Sequence, residues 1–315
     1  MKPPLVSIAF PVFNGEAFMK RALDSLVQQN YSNIEINIVE NCSTDETLTI
    51  CKEYESKFQF VHLYINEEKL NQTRNFEKAL LQGKGKYLML TAADDFWKPS
   101  FVETLVNELE QHPESGVAFC AIHRVNEYEE NYDELHFLGK NNPNNKGYLT
   151  TLRKTLTPDI KYNLYFYGLF RSQILKNAMK YYPHDVAGHD RLFIVQMALI
   201  THFRYVDKLL YVRTQNIVGF DKRHPDEQFT LKLSQRFKIA RTASNLVKMI
   251  VNSGAIPENR KLLLPLVVAI FLIETNWYTI RSAPLRYYWK TLRLMKTYLP
   301  EEVYNKLRKL KQILQ

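Results

Sequence analysis

Two carboxylates stand side by side shortly after an apolar run, and residues of this type at this spacing could do chemistry. Asp94 and Asp95 follow the run at residues 87–90 and precede Pro99. On the local pattern alone, such a pair is either a polar turn or helix cap, or a source of hard oxygen ligands for a divalent cation.

Polar residues also end two other apolar runs. Residues 6–10 are followed by Pro11, and residues 34–39 are followed by Glu40 and Asn41. Short apolar runs that end in this way are typical of buried strands. Because ligands of open α/β sheets bind in a crevice at the carboxyl ends of the strands, we expect these residues to surround one ligand of the nucleotide type.

The stretches between these runs predict helices that connect parallel strands. Residues 17–29, 45–58 and 74–81 carry apolar side chains at helical spacing, and residues 61–65 form another strand-like run. Parallel strands need crossover helices that cover both faces of the sheet. The alternation therefore predicts a three-layer α/β/α sandwich with a mixed, mostly parallel sheet.

The later part of the chain predicts a change of architecture. The asparagine-rich residues 126–147 show no clear period and predict a mobile loop that could act as a lid. From residue 229 onward the pattern is helical, so we expect an α/β domain at residues 1–220 and a helical region at residues 221–315. Further predicted elements are helices at residues 99–110 and 189–200 and strands at residues 117–124, 162–170 and 203–213.

Composition limits the class of protein. Of the 315 residues, 45% are hydrophobic, which is enough for a substantial core. Cys42, Cys51 and Cys120 have no CxxC or histidine-paired spacing, which argues against a disulfide framework or a zinc site and favours a reducing compartment. The first residues lack the charged and apolar segments of a secretory signal, so we expect a cytoplasmic location.

The charge distribution favours anionic partners. The net charge of +9 suits a nucleotide diphosphate or an anionic membrane surface. Nucleic acid fits poorly, because the carboxylates at the strand ends would repel its phosphates. Basic and aromatic residues crowd positions 281–311, a mixture that suits peripheral contact with the cytoplasmic face of a membrane. The apolar run at residues 262–273 is shorter than the about 20 residues of a membrane span, so it is either a buried or an interfacial helix.

Several segments, in order along the chain, resemble family 2 glycosyltransferases. The segment PVFNGEAFMKRALDSLVQQNYSNIEINIVENCSTDET resembles the family wording P-V-Y-N-x-E, then a helix, then Q-x-Y-x-N-x-E, then V-D-D-x-S-x-D-x-T. The likeness continues through the Arg74-Asn75 pair and the segment DDFWKP, and then through residues 188–190 and 209–213. It covers roughly residues 5–215.

The resemblance implies the GT-A fold and an inverting transfer of a sugar from a nucleotide diphosphate donor, preferably a UDP-sugar, to an acceptor hydroxyl. The implied acceptor is a glycan or a lipid-linked saccharide in the assembly of cell-surface polysaccharide or glycolipid. Carried over position by position, the resemblance assigns donor binding to Pro11, Phe13, Glu16, Glu40, Asn41, Arg74, Asp94 and Asp95. Further candidates for contacts to phosphate or acceptor are Trp97, His189 and Arg213.

The same resemblance implies a divalent cation, Mn²⁺ or Mg²⁺, on Asp94 and Asp95. Such a cation would offset the negative charge that develops on the leaving diphosphate, and Arg74 or Arg213 could add a bidentate contact. Inversion in one displacement also needs a base that accepts the proton of the acceptor hydroxyl. Asp190 is the candidate by its place in the resemblance.

Each candidate also has an ordinary structural alternative. Trp97 could pack on the sheet, and Arg74 could be a solvated helix residue with a local carboxylate partner. Asp190 could cap a helix or form a buried ion pair. Glu40 could simply end a strand, and Arg213 could bind backbone carbonyls at a strand end.

Two departures from the family wording leave a second function open. Glu40-Asn41 replaces the family's Asp-Asp, and Ala92 stands where the first acidic residue is often found. The alternative is therefore a degenerate homologue that only binds a nucleotide or a partner protein. Residues 11–15 are not a glycine-rich phosphate loop and no GxGxxG follows a strand, which argues against a sugar nucleotidyltransferase and a dinucleotide oxidoreductase.

Overall fold

The three-dimensional structure of the chain is a computed structural model. It describes residues 2–126, 128–138, 142–145, 147–156, 165–182, 184, 189–215 and 235–271. The chain divides into two compact units. The first comprises Met1–Gly147, Leu164–Met179 and Thr201–Gln228, and the second comprises Tyr148–Asn163, Lys180–Ile200 and Phe229–Gln315. The predicted division at residue 220 is a single boundary, whereas the second unit also takes in two earlier segments.

Within the described residues, a nine-stranded sheet forms the centre of the first unit, and one half of it is parallel. In this half, β1 (Val6–Val12) lies between β2 (Ile34–Glu40) and β4 (Tyr87–Leu90), and β3 (Val61–Ile65) is the edge strand beside β2. Every residue of β1 and β4 is buried, which explains why these strands are apolar runs rather than alternating patterns.

The other half of the sheet is mixed. It contains β5 (Phe96–Trp97), β6 (Ser115–Asn126), β7 (Asn131–Leu135), β8 (Leu169–Arg171) and β9 (His202–Gln215). The strand order is β3-β2-β1-β4-β8-β6-β9-β5, and β7 pairs with β6. Because β8 is antiparallel to both β4 and β6, and β9 is parallel to β6, the strands β1, β2, β4, β6 and β9 all end at the same edge of the sheet.

Seven helices lie between the strands in the described part of the chain. They are α1 (Met19–Val27), α2 (Thr47–Lys57), α3 (Gln72–Gln82), α4 (Phe101–Gln111), α5 (Gly147–Leu156), α6 (Ser172–Met179) and α7 (His189–Ile200). Helix α1 buries Met19, Ala22, Leu23 and Leu26, which share one face at helical spacing. Burial of a Leu or Met side chain contributes about 1.5–3 kcal/mol, so this face is sufficient to hold α1 on the sheet.

The second unit is built around α7. Residues 192–199 of this helix are all buried, and the amide of Gln196 donates a hydrogen bond to Ser253 Oγ at 3.0 Å. Helices at Gln235–Asn252 and Glu258–Lys261 follow. The predicted apolar run is described over residues 262–271, where Leu264, Val267 and Phe271 are buried while Leu262 and Leu266 are exposed.

No helix in the described part of the chain combines the length and apolar character that crossing a bilayer requires. The basic and aromatic residues 281–311 lie outside the described residues, so their predicted contact with a membrane stays a prediction.

The asparagine-rich segment differs from its prediction. Residues 131–135 form β7, which pairs antiparallel with β6, and residues 143–145 form a short 3₁₀ turn. The side chain of Asn144 holds this turn against β9, because its amide accepts from the N–H of Tyr205 and donates to the carbonyl of Tyr205, both at 2.8 Å. The loop prediction was wrong for residues 131–135, since long-range pairing overrides the low strand propensity of Asn and Asp.

Candidate active site

A cavity of about 430 Å³ lies where the parallel strands end. Its lining includes residues 11–15 at and just after the end of β1, Asn41 after β2, residues 92–95 after β4, and residues 213–215 at the end of β9. All of these residues belong to the first unit. The cavity therefore occupies the crevice at the carboxyl edge that the strand pattern predicts.

Two loops at the cavity hold each other through hydrogen bonds. The N–H of Asn14 donates to Ser43 Oγ at 3.0 Å, and the N–H of Thr44 donates back to Asn14 Oδ1 at 2.9 Å. Asn14 has a φ of 46°, a left-handed conformation that asparagine tolerates better than most residues. The N–H of Gly15 donates to Thr47 Oγ1 at 2.8 Å. These bonds fix the backbone that carries the neighbouring Phe13 at the cavity.

Three buried asparagines form a second part of the cavity lining and its support. Asn66 Nδ2 donates to Asn41 Oδ1 at 2.8 Å and to Asn75 Oδ1 at 2.9 Å. The amide of Asn41 also accepts from the N–H of Leu70 and donates to its carbonyl, both at 2.8 Å. Since Asn41 and Asn75 line the cavity, this side of it consists of neutral amides whose orientation is fixed by their neighbours.

The two adjacent carboxylates of the acidic segment have different environments. Asp95 is 3% exposed, and its two oxygens accept hydrogen bonds from the hydroxyl of Tyr211 and from the N–H of Thr214, the latter at 2.9 Å. Burial, and then the charge of Asp94, raise the pKa of Asp95. Asp94 is half-buried and lines the cavity. The carboxylate of Asp95 is thus hydrogen-bonded to β9, whereas Asp94 is the more exposed of the two at the cavity.

A cationic side chain lies on the same cavity wall. Arg213 lines the cavity on β9. Burial acts to lower the pKa of Arg213, but the nearby Tyr211 and Tyr167 hydroxyls and the carboxylates of Asp95 and Asp94 raise it above its ordinary value. Arg213 therefore carries a positive charge at any pH at which the protein is folded.

A second arginine ties the acidic segment to β9. Arg21 Nη2 donates to the carbonyl of Asp94 at 3.1 Å and to Thr214 Oγ1 at 2.6 Å. Its Nη1 donates to Glu129 Oε1 at 2.8 Å, and its guanidinium lies 4.5 Å from the ring centroid of Phe96. Arg21 thereby fixes Asp94, in the segment between β4 and β5, relative to Thr214 on β9.

Six of the residues predicted from the sequence meet at this cavity, namely Pro11, Phe13, Asn41, Asp94, Asp95 and Arg213. Glu16, Glu40 and Arg74 are described by the structure but are not among the lining residues. The buried carboxylate of Glu40 accepts from the N–H groups of Cys42 at 3.2 Å and Ser43 at 2.6 Å. Asn41, the next residue, faces the cavity instead.

The remaining predicted residues of the first unit are engaged elsewhere. Glu16 accepts a hydrogen bond from the N–H of Glu46 at 2.8 Å, and Arg74 is exposed in the first turn of α3. Trp97 is 2% exposed and stacks on Tyr211 with ring centroids 5.8 Å apart. Trp97 therefore packs within the protein, next to the tyrosine that binds Asp95.

His189 and Asp190 lie in the second unit, in the first turn of α7. The ring of His189 forms a hydrogen bond with the hydroxyl of Tyr182 at 2.6 Å, and burial lowers the pKa of His189. Asp190 Oδ1 accepts from the N–H of Arg191 at 2.7 Å. Their predicted roles stay predictions.

Sequence reasoning missed Arg21, Asn75, Tyr211 and Thr214. Tyr211 lies two positions before Arg213 on one strand, so the alternation of strand faces could have placed the two on the same side. Asn75 belongs to the Arg74-Asn75 pair, of which the exposed member was chosen. No local signal marks Arg21, because its partners are distant in sequence.

The donor set of the cavity suits a cation that arrives with its ligand. No group of three His, Cys, Asp or Glu side chains that could hold a metal ion occurs among the described residues. Asp94 and Asp95 both line the cavity, and since both oxygens of Asp95 already accept hydrogen bonds within the protein, Asp94 is the better placed of the two carboxylates to contribute to binding a cation. Mg²⁺ and Mn²⁺ are commonly held by one or two carboxylates, with phosphate and water oxygens as the other ligands. The residues present fit such an ion.

The family model described as Glycosyl transferase family 2 matches residues 7–178 of this chain. The chain belongs to glycosyltransferase family 2. Among solved structures, this glycosyltransferase is similar to residues 1–349 of S. aureus TarS in complex with UDP-GlcNAc, with a TM-score of 0.68 and 19% identity over 96% of this chain and 83% of that one. The GT-A fold expected from the resemblance is confirmed.

Other similarities agree with the family. The glycosyltransferase is 32% identical over 116 residues to the putative teichuronic acid biosynthesis glycosyltransferase TuaG of Bacillus subtilis, which is 37% of this chain and 45% of TuaG. It is also similar in fold to the mannosyltransferase PcManGT of Pyrobaculum calidifontis in complex with GDP-Man and Mn²⁺, with a TM-score of 0.51 and 15% identity over 97% of this chain and 83% of that one. The chain spans less than half of the length of the curated relatives that it matches.

Proposed function

We propose that this glycosyltransferase moves a sugar from a UDP-type nucleotide diphosphate donor to an acceptor hydroxyl, with inversion at the anomeric carbon. The observation that carries the proposal is that Phe13, Asp94 and Arg213 line one cavity, although they follow or end three different strands. An aromatic ring for the base, a cation for the phosphates and a carboxylate for a metal ion are the groups that an activated sugar needs. The TarS complex with UDP-GlcNAc supports a UDP-sugar as donor.

The leaving diphosphate gains negative charge as its bond to the sugar breaks, and the cavity wall supplies positive charge to stabilise it. Arg213 can make a bidentate contact with phosphate oxygens, and Asp95 and Arg21 hold its strand in place. When bound to Asp94, a divalent cation would add Lewis-acid stabilisation of the same charge. The Mn²⁺ in the PcManGT complex supports a cation in this role.

Asp190 remains the proposed base. Its carboxylate would accept the proton of the acceptor hydroxyl as the oxygen attacks the anomeric carbon, a contribution of about 10²- to 10⁴-fold in rate. His189 and Trp97 stay candidates for positioning the acceptor. Of the donor contacts, Pro11, Phe13 and Asn41 lie at the cavity, while Glu16, Glu40 and Arg74 would act through the loops that border it.

The proposed acceptor is a glycan or lipid-linked saccharide of a cell-surface polymer. The similarity to TuaG, a putative enzyme of teichuronic acid synthesis, supports this class. We place the reaction in the cytoplasm, where nucleotide sugars are made, and peripheral membrane contact through residues 281–311 is part of the same proposal.

A nucleotide-binding homologue without transferase activity is the second candidate. It is favoured by Ala92, which lines the cavity where the family often has an acidic residue. It is also favoured by Glu40, whose carboxylate bonds to the adjacent loop rather than lining the cavity.

Release of nucleotide separates the two candidates. Purified protein is incubated with UDP-, GDP- and dTDP-sugars and Mn²⁺, and the freed nucleotide is measured with and without EDTA. We expect release from a UDP-sugar that EDTA abolishes, and a loss of about a hundredfold in Asp94→Asn and Asp190→Asn. Glu53→Gln, an exposed change on α2, is the matched control and should retain full activity. Nucleotide binding without release from any donor would favour the non-catalytic candidate.

A further inference from the structure

We propose that the residues between β6 and β7, together with the start of β7, carry a binding platform for the acceptor glycan, formed by Tyr128, Glu129 and Tyr132. This inference rests on the proposed transferase function, because it assigns a place to the second substrate of that reaction. We call these three residues the hairpin platform.

Strand register places the hairpin platform next to the donor cavity. In the pairing of β6 with β9, Val125 lies opposite Thr214 and Asn126 lies opposite Gln215. Thr214 and Gln215 both line the cavity. Residues 128–130, which precede β7, therefore lie near the cavity at the same edge of the sheet. An acceptor chain bound here would lie at the edge of the sheet where the donor cavity opens.

The hairpin platform exposes two aromatic rings. Tyr128 is 72% exposed and Tyr132 is 62% exposed. A tyrosine offers a flat apolar ring and a hydroxyl, and it loses little conformational entropy on binding because it has only two side-chain torsions. Sugar rings have the complementary character, with C–H groups on their faces and hydroxyls around their edges. Two exposed rings only four positions apart in sequence suit the sugar units of a glycan chain.

Hydrogen bonds from Asn126 hold residues 128 and 130 in place. Asn126 Oδ1 accepts from the N–H groups of Tyr128 and Glu130, both at 2.9 Å, and Asn126 Nδ2 donates to Glu130 Oε2 at 2.8 Å. On the adjoining strands, Arg124 pairs with Asp133 and places its guanidinium 5.0 Å from the ring centroid of Tyr132. One face of Tyr132 is thus supported from within. A surface that is ordered before binding loses less entropy when a ligand arrives.

Polar groups for sugar hydroxyls lie beside the turn. A shallow cleft of about 480 Å³ is lined by Glu129 together with Arg21, Asp24, Gln28 and Phe96. A carboxylate can accept hydrogen bonds from hydroxyl groups, and an amide can both accept and donate them. Arg21 connects this cleft to the donor cavity, because it binds both Glu129 and the carbonyl of Asp94.

Charge argues for a glycan rather than a membrane as the occupant. Glu129, Glu130 and Glu134 are exposed on the turn and on β7. Their charges would oppose an anionic lipid surface, which attracts clustered lysine and arginine. Neutral hydroxylated chains meet no such repulsion.

Saturation-transfer-difference NMR of the full chain tests the proposal with cellohexaose, chitohexaose, maltohexaose and xylohexaose as probes. We expect at least one hexasaccharide to bind the wild type. Tyr128→Ala and Tyr132→Ala should each weaken its binding by about tenfold, whereas Tyr128→Phe and Tyr132→Phe should retain binding because they keep the ring. Leu81→Ala removes a side chain that is 53% exposed on α3 and should bind as the wild type does.

The proposal is overturned if no hexasaccharide binds the wild type, or if the alanine variants bind as tightly as the wild type while remaining folded by circular dichroism. It is also overturned if the tyrosine changes instead abolish a dimer in size-exclusion chromatography or flotation with phosphatidylglycerol vesicles. Nucleotide release by the wild type without acceptor is measured in parallel. Tyrosine-dependent glycan binding without such release would leave the hairpin platform standing and reject the transferase function.

Discussion

The carboxylate of Asp95 accepts a hydrogen bond from the N–H of Thr214 at 2.9 Å, although 119 positions separate the two residues. This bond joins the segment after β4 to the end of β9. Arg213 and Asp94 flank the two bonded residues in sequence, and both line the cavity. A bond between two largely buried residues thus sets the spacing of the two side chains assigned to phosphate and metal.

Replacement of the two adjacent carboxylates should separate stability from activity. Asp95→Ala leaves the hydroxyl of Tyr211 and the N–H of Thr214 without their acceptor, which should lower the free energy of unfolding by about 1–3 kcal/mol. Asp94→Ala, the same change one position earlier, should lower nucleotide release with a much smaller effect on stability, since Asp94 is half-buried. Urea unfolding and nucleotide release are measured for both. Equal stability losses in the two variants would contradict the division of roles.

Removal of the Arg21 guanidinium should lower the turnover rate. Arg21→Met loses the bonds to Asp94, Thr214 and Glu129 while keeping an aliphatic chain against Phe96. Because a displacement of about 1 Å at a reacting group can cost about 10²-fold in rate, we expect kcat for nucleotide release to fall by about 10- to 100-fold. Lys20→Met changes the neighbouring, 59% exposed cation of α1 and should have no effect. An unchanged kcat in Arg21→Met would show that the cavity does not need this tie.

Replacement of the Asn41 amide by a carboxylate should destabilise the protein. Asn41→Asp removes the N–H donor to the carbonyl of Leu70 and places a negative oxygen against it, so the free energy of unfolding should fall by about 1–3 kcal/mol at pH 8. Asn71→Asp is the matched control, because Asn71 Oδ1 caps α3 by accepting from the N–H of Arg74 at 2.9 Å. A carboxylate caps equally well there. Equal unfolding midpoints for both variants would argue against the hydrogen bonds that the Asn41 amide makes with Leu70.

One histidine should make stability depend on pH. Hydrogen bonding to Asp207 at 2.6 Å raises the pKa of His136, burial opposes this, and a weaker bond to Glu134 adds to the rise. A raised folded pKa means that the stabilisation is complete below the unfolded value of about 6.5 and is lost as the pH rises through the folded value. His136→Gln should therefore be less stable than the wild type at pH 5.5 and similar at pH 9. The difference should stay below about 1 kcal/mol, because this pair is exposed to solvent.

Urea unfolding at the two pH values and NMR titration of the imidazole check this prediction. His123→Gln is the control, since that ring contacts the amide of Asn131 rather than a carboxylate. A difference between wild type and His136→Gln that grows toward pH 9 would have the wrong sign.

The parallel half of the sheet could be predicted because its strands are buried on both faces. Almost every residue of β1, β2 and β4 is buried, and most of these residues are apolar, so the sequence shows short runs that are rich in apolar residues. The hairpin of β6 and β7 lacks this signal. The residues of β7 are mostly exposed and polar, and their strand conformation depends on pairing with β6.

The candidate site was predictable to the level of segments but less so to the level of side chains. At the end of β2, Glu40 and Asn41 were both candidates. The Glu40 carboxylate binds the N–H groups of the turn that follows, whereas Asn41 faces the cavity, and the local sequence does not distinguish these two orientations. The role of Arg21 could not be predicted from the local sequence, because its three hydrogen-bond partners lie 73 to 193 positions away.

The guanidinium of Arg21 binds Glu129 in the cleft and the carbonyl of Asp94 at the donor cavity. The cleft and the cavity are therefore connected through one side chain. A movement that displaces Glu129 must either break its ion pair with Arg21 or move the Arg21 side chain. Thermodynamic reciprocity then requires that occupancy at either site alter the affinity at the other by the same factor.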